Sequence, residues 1–234
     1  MKDISDCFED LSHALRVLQE ADHKAHTQKL ILLDVREAVW NIETAYAATL
    51  NSVHSLCDAA IGARIVSNYV LYNTVEISAL LALRNARHHN HARKIRTIYR
   101  FHLDDSPEST MTYDLINYPV HPENSEGFEV YISAYDLLEL LNLPEAKTRI
   151  RVAKSLELKI YLGISTFSPE IARRQFLNFI SILINGCVEI HKLIGAHITP
   201  TSVEAKLFHF LFDNMPKTDL KTHLHQELIL PPLK

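Results

Sequence analysis

The first 106 residues of this chain contain no proline and only one glycine, Gly62. A proline inside a helix costs about 3 kcal/mol, and a glycine about 1 kcal/mol, relative to alanine. Helices are therefore free to run long in this part of the chain. All nine prolines lie at Pro107 or later. The sequence thus divides into an N-terminal part that favours long helices and a remainder that is punctuated by turns.

Cysteine is scarce, and targeting signals are missing. Cys7, Cys57 and Cys187 are far apart and form neither a CxxC pair nor a disulfide framework, which favours a reducing compartment. The first six residues are acidic in character, unlike a signal peptide. Polar residues interrupt every apolar stretch before it reaches the length of a membrane span. We therefore expect a cytoplasmic protein that does not contact a membrane.

The signatures of several enzyme classes are also absent. The five glycines are scattered singly, so there is no glycine-rich phosphate loop, and no GxSxG nucleophile motif is present. Kinase, dehydrogenase and serine hydrolase functions therefore have no support. The formal net charge is −4, which means that any contact with nucleic acid must be made by a local basic patch.

The N-terminal part has the period of amphipathic helices. An apolar stripe over residues 32–53 recurs at three- and four-residue steps and predicts a helix of about 25 residues. A second stripe over residues 61–83 predicts another long helix after a break at residues 58–62. Two long helices with a short connection usually pack antiparallel. Glu76 interrupts the second stripe, so we expect it to pair with Arg84 or with another charge, because an unpaired buried carboxylate is costly.

Residues 101–132 carry turn chemistry in place of helical periodicity. Proline, aspartate, asparagine and glycine cluster at residues 104–107 and 122–127. The alternation at residues 128–132 predicts a short strand, which would form a hairpin with a strand near residues 111–116. We interpret the whole segment as a β or irregular insertion between helices.

Helix-capping signals resume after the insertion. Ser133 followed by Asp136 resembles a capping box, and Ser168-Pro169-Glu170 combines a capping hydroxyl, a first-turn proline and an acid. Residues 156–162 fit either a helix or a strand. The helices expected from these signals cover residues 134–141, residues 168–194, and residues 203–212 after Thr201 and Glu204.

The sequence thus predicts a mainly α fold, a helical bundle with two long antiparallel N-terminal helices and a small β or irregular insertion. Its expected parts are a helical core at residues 1–100, the insertion at 101–132, C-terminal helices that pack on the core at 133–215, and a loosely attached tail at 216–234.

The most distinctive stretch is a basic, histidine-rich cluster at the end of the second predicted helix. A guanidinium donates bidentate hydrogen bonds to phosphate oxygens and stays charged at any working pH. An imidazole titrates near pH ~6.5 and serves as a base or an acid. These residue types suit cleavage of a phosphodiester by its own 2′-hydroxyl. The cluster comprises Arg84, Asn85, Arg87, His88, His89, His91, Arg93, Lys94, Arg96 and Arg100.

The run Arg84-Asn85-x3-His89 resembles the motif of the HEPN superfamily (higher eukaryotes and prokaryotes nucleotide-binding domains). In that family an arginine, a polar residue that is often asparagine, and a histidine after four to six intervening positions end a long helix of an all-helical bundle. Many members are metal-independent ribonucleases. His91 matches the six-residue spacing as well as His89 matches the four-residue spacing. The resemblance covers about the first 95 residues of this chain.

The resemblance implies a ribonuclease with a toxin or phage-defence role. Arg84 would hold the scissile phosphate, Asn85 would position it, and His89 would act as acid or base, with His91 as its rival. Two chains would bring their Arg84 clusters together in one homodimer, and a cognate antitoxin or nucleotidyltransferase would be the partner. No cofactor is expected. The residues expected to guide the RNA backbone are Arg87, Arg93, Lys94 and Arg96.

Three alternatives remain open on the residues alone. On a regular helix His88 and His91 lie on the side of Arg84, whereas His89 is rotated away from it. The run His88-His89-x-His91 would suit a transition metal, although the neighbouring arginines oppose a cation. The third alternative is a non-catalytic helical module that uses its basic helix end to contact a protein or nucleic acid. The pairs at residues 23 and 26, and 223 and 225, are interpreted as surface histidines.

Overall fold

The fold is described from a computed structural model of the 234-residue chain. Within it the expected mainly α fold is confirmed, with helices dominating and one small sheet among the described residues. The structure describes residues 3–88, 95–105, 130–142, 152–218, 220 and 226–227.

Two long helices form the N-terminal pair: α1 (Ile4–His26) and α3 (Val35–Gly62), linked through the single turn α2 (Leu30–Leu33). The Oγ1 of Thr49 donates to the carbonyl of Ala14 at 3.3 Å, which fixes α1 along α3. The sequence analysis did not identify α1, although its apolar residues recur at helical spacing. The longest helices that pack together are therefore α1 and α3, whereas the expected pair joined the helix at 32–53 to a second long helix at 61–83.

The second predicted long helix is two helices, α4 (Asn68–Asn73) and α5 (Val75–His88). Thr74 between them is extended, with φ −83° and ψ 113°. Its Oγ1 donates to the carbonyl of Val70 at 3.0 Å, in addition to the backbone bond from Thr74 N to the same carbonyl, and Thr74 therefore caps the end of α4. The apolar stripe in the sequence does not reveal the break, because it continues across Thr74 without a gap.

Helix α5 is held against α10 (Phe179–Ile194) by a close approach at one glycine. A Cβ at Gly186 would lie 2.2 Å from Cδ1 of Leu80, and Leu80 is fully buried. A side chain at position 186 would displace Leu80 or one of the two helices, so glycine lets the buried Leu80 side chain pack directly on the backbone of α10. The position of the basic cluster at the end of α5 follows from this contact.

A small antiparallel sheet has the order β1-β2-β3, with β1 (Tyr131–Ser133), β2 (Gln175–Asn178) and β3 (Gln226–Glu227). Ile132 pairs with Leu177 on one side and bridges to Thr97 on the other. The strand was expected, and at Ile132 both of its edges are taken by distant segments. The expected hairpin stays a prediction. Residues 111–116 lie outside the described part.

The helices after the insertion follow their capping signals with one interruption. Asp136 N donates to Ser133 Oγ at 3.2 Å, as the capping box predicted. The Ser168 signal starts a helix of only four residues, and β2 separates it from α10, so the single long helix expected here is wrong. Residues 156–162 belong largely to a helix. The remaining helices are α6 (Ile98–Asp105), α7 (Ala134–Asn142), α8 (Val152–Tyr161), α9 (Pro169–Ala172) and α11 (Val203–Asn214).

The described part of the tail is attached to the core, contrary to expectation. Asn185 Nδ2 donates to the carbonyl of Thr218 at 2.9 Å, and Thr218 N donates back to Asn185 Oδ1 at 2.7 Å. Leu220 is buried. These two hydrogen bonds satisfy the backbone N–H and the backbone carbonyl of Thr218, and they explain how a short polar segment is held on α10.

Among the described residues, one helix is long and apolar enough to cross a membrane by length and composition alone. It is Phe179–His197, with a mean hydropathy of 1.4. Within the fold 67% of it is buried, so packing against the neighbouring helices accounts for its apolar composition.

Candidate functional site

The basic cluster lies at the C-terminal end of α5. The side chains of Arg84 and Asn85 are half-buried there. Of Arg87 the structure describes the backbone alone. The expected catalytic and RNA-guiding residues His89, His91, Arg93 and Lys94 lie outside the described residues.

The guanidinium of Arg84 is poorly satisfied. Its Nη1 donates to Asn85 Oδ1 at 3.2 Å, which is a weak contact between neighbours in sequence. Its Nε is buried and has no hydrogen-bond acceptor among the described residues. No carboxylate of the described residues lies within ion-pair distance of it. The structure thus brings Arg84 and Asn85 together, and the part of the chain that it describes offers this half-buried cation no counter-charge.

Glu76 does not neutralise Arg84. Its Oε1 lies 2.7 Å from Nζ of Lys217, which also lies 2.7 Å from Oε1 of Glu189. Burial lowers the pKa of Lys217, but its hydrogen bonds to Glu189 and Glu76 outweigh burial and raise the pKa. The expectation that Glu76 pairs with a cation is confirmed, and that cation is Lys217 from the tail.

Arg96, by contrast, is paired with a buried carboxylate. Its Nε and Nη2 each donate to Asp136 at 2.9 Å, and its backbone N–H donates to the same carboxylate at 3.0 Å. The Asp136 side chain is 0% exposed. The guanidinium also lies 4.4 Å from the ring centroid of Phe101. Because this charge is already paired in a bidentate contact, Arg96 serves to hold its segment in place and is not retained as an RNA-contacting residue.

The segment at residues 97–99, which follows the histidines of the cluster in sequence, is hydrogen-bonded to the long helices α1 and α3. Thr97 N donates to Glu43 Oε1 at 2.9 Å, and the Nε2 of His26 lies 2.6 Å from the hydroxyl of Tyr99. Burial lowers the pKa of His26, so the interpretation of His26 as a surface histidine is wrong. The cluster is therefore flanked by α5 on one side and by this fixed segment on the other.

The sequence analysis missed an aromatic residue near this segment. Trp40, the only tryptophan, is 54% exposed on α3. The guanidinium carbon of Arg100 lies 4.8 Å from its ring centroid. In the sequence, a single aromatic residue next to an apolar helix stripe looks like a core residue. Only the exposure of its side chain in the structure shows that it lies on the surface.

Other site types find no support in the described part of the chain. No group of three or more histidine, cysteine, aspartate or glutamate side chains that could hold a metal is found there. Cys57 and Cys187 are buried. Burial, with a smaller effect of Asp58, raises the pKa of Cys57 to about 12, and burial likewise raises the pKa of Cys187. These thiols are therefore unsuited to nucleophilic chemistry.

No protein-family model, curated protein or solved structure matches this chain. The functional assignment therefore depends on the residues themselves.

Proposed function

We propose that the chain is a metal-independent endoribonuclease of the HEPN type, in which Arg84 binds the scissile phosphate. The observation that carries the proposal is the state of the Arg84 guanidinium. Within the described part of the chain its buried Nε–H has no acceptor, and no carboxylate there pairs with it. A buried unsatisfied donor costs about 1–3 kcal/mol, so its presence requires an explanation, and an incoming phosphate oxygen supplies one.

The proposed reaction is transesterification. The 2′-oxygen of the RNA forms a bond to phosphorus, the bond to the 5′-oxygen of the next nucleotide breaks, and a 2′,3′-cyclic phosphate results. One imidazole, from His89 or His91, accepts the 2′-hydroxyl proton, and the leaving 5′-oxygen gains a proton. Arg84 stabilises the charge that develops on the phosphoryl oxygens. The amide of Asn85, which already accepts from Arg84, orients the guanidinium.

The proposed assembly is a homodimer in which two Arg84 clusters face one cleft. A single helix end is open to solvent, whereas two facing clusters enclose RNA between cations. Arg87, Arg93 and Lys94 would contact the RNA backbone in that cleft. On the family resemblance, we extend the proposal to a cytoplasmic toxin or phage-defence effector that is controlled by an antitoxin or a nucleotidyltransferase. A dimer in light scattering at micromolar concentration supports this assembly, and a strict monomer argues against it.

The test is cleavage of single-stranded RNA in excess EDTA. We expect the wild-type protein to cleave and to leave 2′,3′-cyclic phosphate ends, and Arg84→Ala to lose activity. Arg174→Ala is the matched control, because Arg174 is an exposed arginine next to β2, away from α5. Activity that disappears in EDTA and returns with zinc or manganese would refute the metal-independent mechanism. In the same assay, His89→Ala and His91→Ala decide which histidine acts.

A second candidate function is a non-catalytic helical interaction module, and one observation favours it. Helix α11 exposes Val203, Leu207 and Phe210, with exposures of 83%, 54% and 62%. They are spaced at i, i+4 and i+7 and therefore share one face. An apolar helix face of this kind is typical of a protein contact. If Arg84→Ala leaves RNA cleavage unchanged, and Leu207→Asp abolishes self-association or partner binding, the interaction module replaces the ribonuclease as the proposed function.

A further inference from the structure

Trp40 and Arg100 form a braced aromatic surface on α3. The indole is 54% exposed, which is unusual for a side chain that has so much apolar area to bury. The guanidinium carbon of Arg100 lies 4.8 Å from its centroid, within the range of a cation–π contact.

Arg100 is itself fixed in position. Its Nε donates to Asp104 Oδ2 at 3.1 Å, and its Nη2 lies 2.9 Å from Asp104 Oδ1. Its backbone N–H donates to Thr97 Oγ1 at 3.3 Å. Asp104 already balances the charge of Arg100, so the role of the arginine is to hold the ring and not to bind a phosphate. A ring held in this way loses little conformational entropy when a planar ligand stacks on it.

The braced ring lies near the proposed cleavage site along the chain. Thr97 donates to Glu43, and Glu43 is one helical turn after Trp40 on α3. The described residues on the two sides of the histidine segment are His88 and Ile95, seven positions apart, so at most about 24 Å separates their Cα atoms. An extended RNA strand that is bound at the end of α5 is therefore able to reach this ring.

We propose that Trp40, braced by Arg100, is a stacking platform for an unpaired base of single-stranded RNA that is bound at the end of α5; this deepens the proposed ribonuclease function and rests on it. Every base has a π-face, so stacking on an exposed ring is tolerant of sequence. A base-paired strand keeps its bases stacked inside the helix, and the platform therefore selects single strands. The competing occupant is the apolar surface of another protein.

The test uses the intrinsic fluorescence of Trp40, which is the only tryptophan in the chain. The full-length wild-type protein is titrated with a ten-nucleotide 2′-O-methyl oligouridylate, which lacks the attacking 2′-hydroxyl and therefore cannot be cleaved by the proposed reaction, and, separately, with a blunt RNA duplex of the same chemistry. We expect saturable quenching with the single strand and little with the duplex. By anisotropy of a labelled oligouridylate, Trp40→Ala should weaken binding on the order of 10-fold, whereas Trp40→Phe should retain most of the affinity.

Tyr69→Ala is the matched control. Tyr69 is an exposed aromatic residue (78%) on α4, beyond the far end of α3, whose length from Trp40 to Gly62 is about 33 Å. Its removal should leave oligouridylate binding unchanged. Thermal unfolding of each variant verifies folding, which the exposure of both rings should preserve.

Several outcomes overturn the platform: no quenching, equal quenching by the duplex, or unchanged affinity in Trp40→Ala. Loss of self-association in Trp40→Ala without an effect on RNA would assign the ring to a protein contact instead. The two proposals fail separately. A wild-type protein whose fluorescence is quenched by the single strand but which never cleaves unmodified RNA refutes the ribonuclease alone. A protein that cleaves but shows no fluorescence change and the same KM in Trp40→Ala refutes the platform alone.

Discussion

Two arginines from one basic cluster, twelve positions apart, have opposite surroundings. Arg96 is held by Asp136 through the Nε and Nη2 of its guanidinium, and that carboxylate is completely buried. Arg84 is half-buried with one weak contact to Asn85 and an unsatisfied Nε–H. The sequence makes the two look equivalent, because both are arginines in the same run of cations.

The difference teaches that a positive cluster is not one functional unit. A buried ion pair such as Arg96–Asp136 is balanced, and removal of either partner leaves an uncompensated charge. An arginine that is not paired with a carboxylate can form an ion pair with an anionic ligand. The state of its partners, and not its position in a motif, is therefore the stronger indication that Arg84 acts on a substrate and that Arg96 acts on the fold.

The largest expected effect is on the Arg96 side of the comparison. Arg96→Met leaves the buried Asp136 carboxylate unpaired, and we expect the free energy of unfolding to fall by about 3–5 kcal/mol. Urea unfolding measures this loss. Asp136→Ala should be comparably destabilising, because it leaves the Arg96 guanidinium without its carboxylate partner. If either variant unfolds at the wild-type urea midpoint, Arg96 is not structural and the contrast with Arg84 disappears.

A smaller loss is expected from Gly186→Ala, which displaces the helix that carries Arg84 and leaves Arg96–Asp136 intact. The new Cβ would lie 2.2 Å from Leu80, so α5 or α10 must shift, and overpacking of this kind costs about 1–3 kcal/mol. Thermal or urea unfolding measures the cost. A Gly62→Ala variant, at the last residue of α3, is the control for the helix propensity of alanine. An unchanged midpoint would show that the α5–α10 contact is looser than described.

Acid pH probes a third polar contact, which lies between the two C-terminal helices. His191 Nε2 lies 2.9 Å from His209 Nδ1. Burial first, and then the neighbouring His209, lower the pKa of His191, while Asp213 opposes the shift. Protonation therefore favours the unfolded chain, in which histidine has a pKa of about 6.5. Stability should be complete above this pH and should fall as pH drops through the lowered folded pKa.

The pH dependence is measured as urea midpoints from pH 8 down to pH ~2. His26, whose pKa is also lowered by burial, contributes with the same sign. His191→Gln removes one titrating group and should flatten the slope below pH ~6.5. At lower pH, Glu9 adds a further loss. Burial raises its pKa, but hydrogen bonds from Ser202 and Thr201 outweigh burial and lower the pKa from 4.5 to about 2. A slope of the opposite sign in either window would contradict these assignments.

The smallest expected change in stability is that of Arg84→Met. This substitution removes a half-buried cation with an unsatisfied donor and keeps most of the aliphatic stem. The urea midpoint should stay within about 0.5 kcal/mol of wild type, or rise. The identical substitution at Arg96 is its matched control. A loss of several kcal/mol in Arg84→Met would mean that Arg84 is also structural, and the comparison would no longer separate the two arginines.

Local signals predicted much of the fold. The Ser133 and Ser168 caps start helices as expected, because a side-chain oxygen next to orphan amides acts within one turn. The break at Thr74 and the strand β2 were not predictable in the same way. The first interrupts an apolar stripe that continues in sequence, and the second exists because Gln175–Asn178 finds a partner strand more than forty positions away.

The location of the candidate site could be predicted from the sequence, but the role of each of its residues could not. The cluster at the end of α5 follows from the arrangement of cations after an apolar run. Which arginine is paired depends on Asp136, and where Glu76 is neutralised depends on Lys217 from the tail. Such long-range pairs leave no periodic trace in the sequence. For the same reason the exposure of Trp40 could not be inferred from its place beside an apolar stripe.

The most direct test of the central claim is the rate of RNA cleavage in EDTA by the Arg84→Met protein, measured on the sample whose urea midpoint has been determined. The account predicts a wild-type midpoint together with at least a roughly 100-fold slower cleavage, because one charge-stabilising donor is lost. A folded Arg84→Met protein that cleaves RNA at the wild-type rate would contradict it.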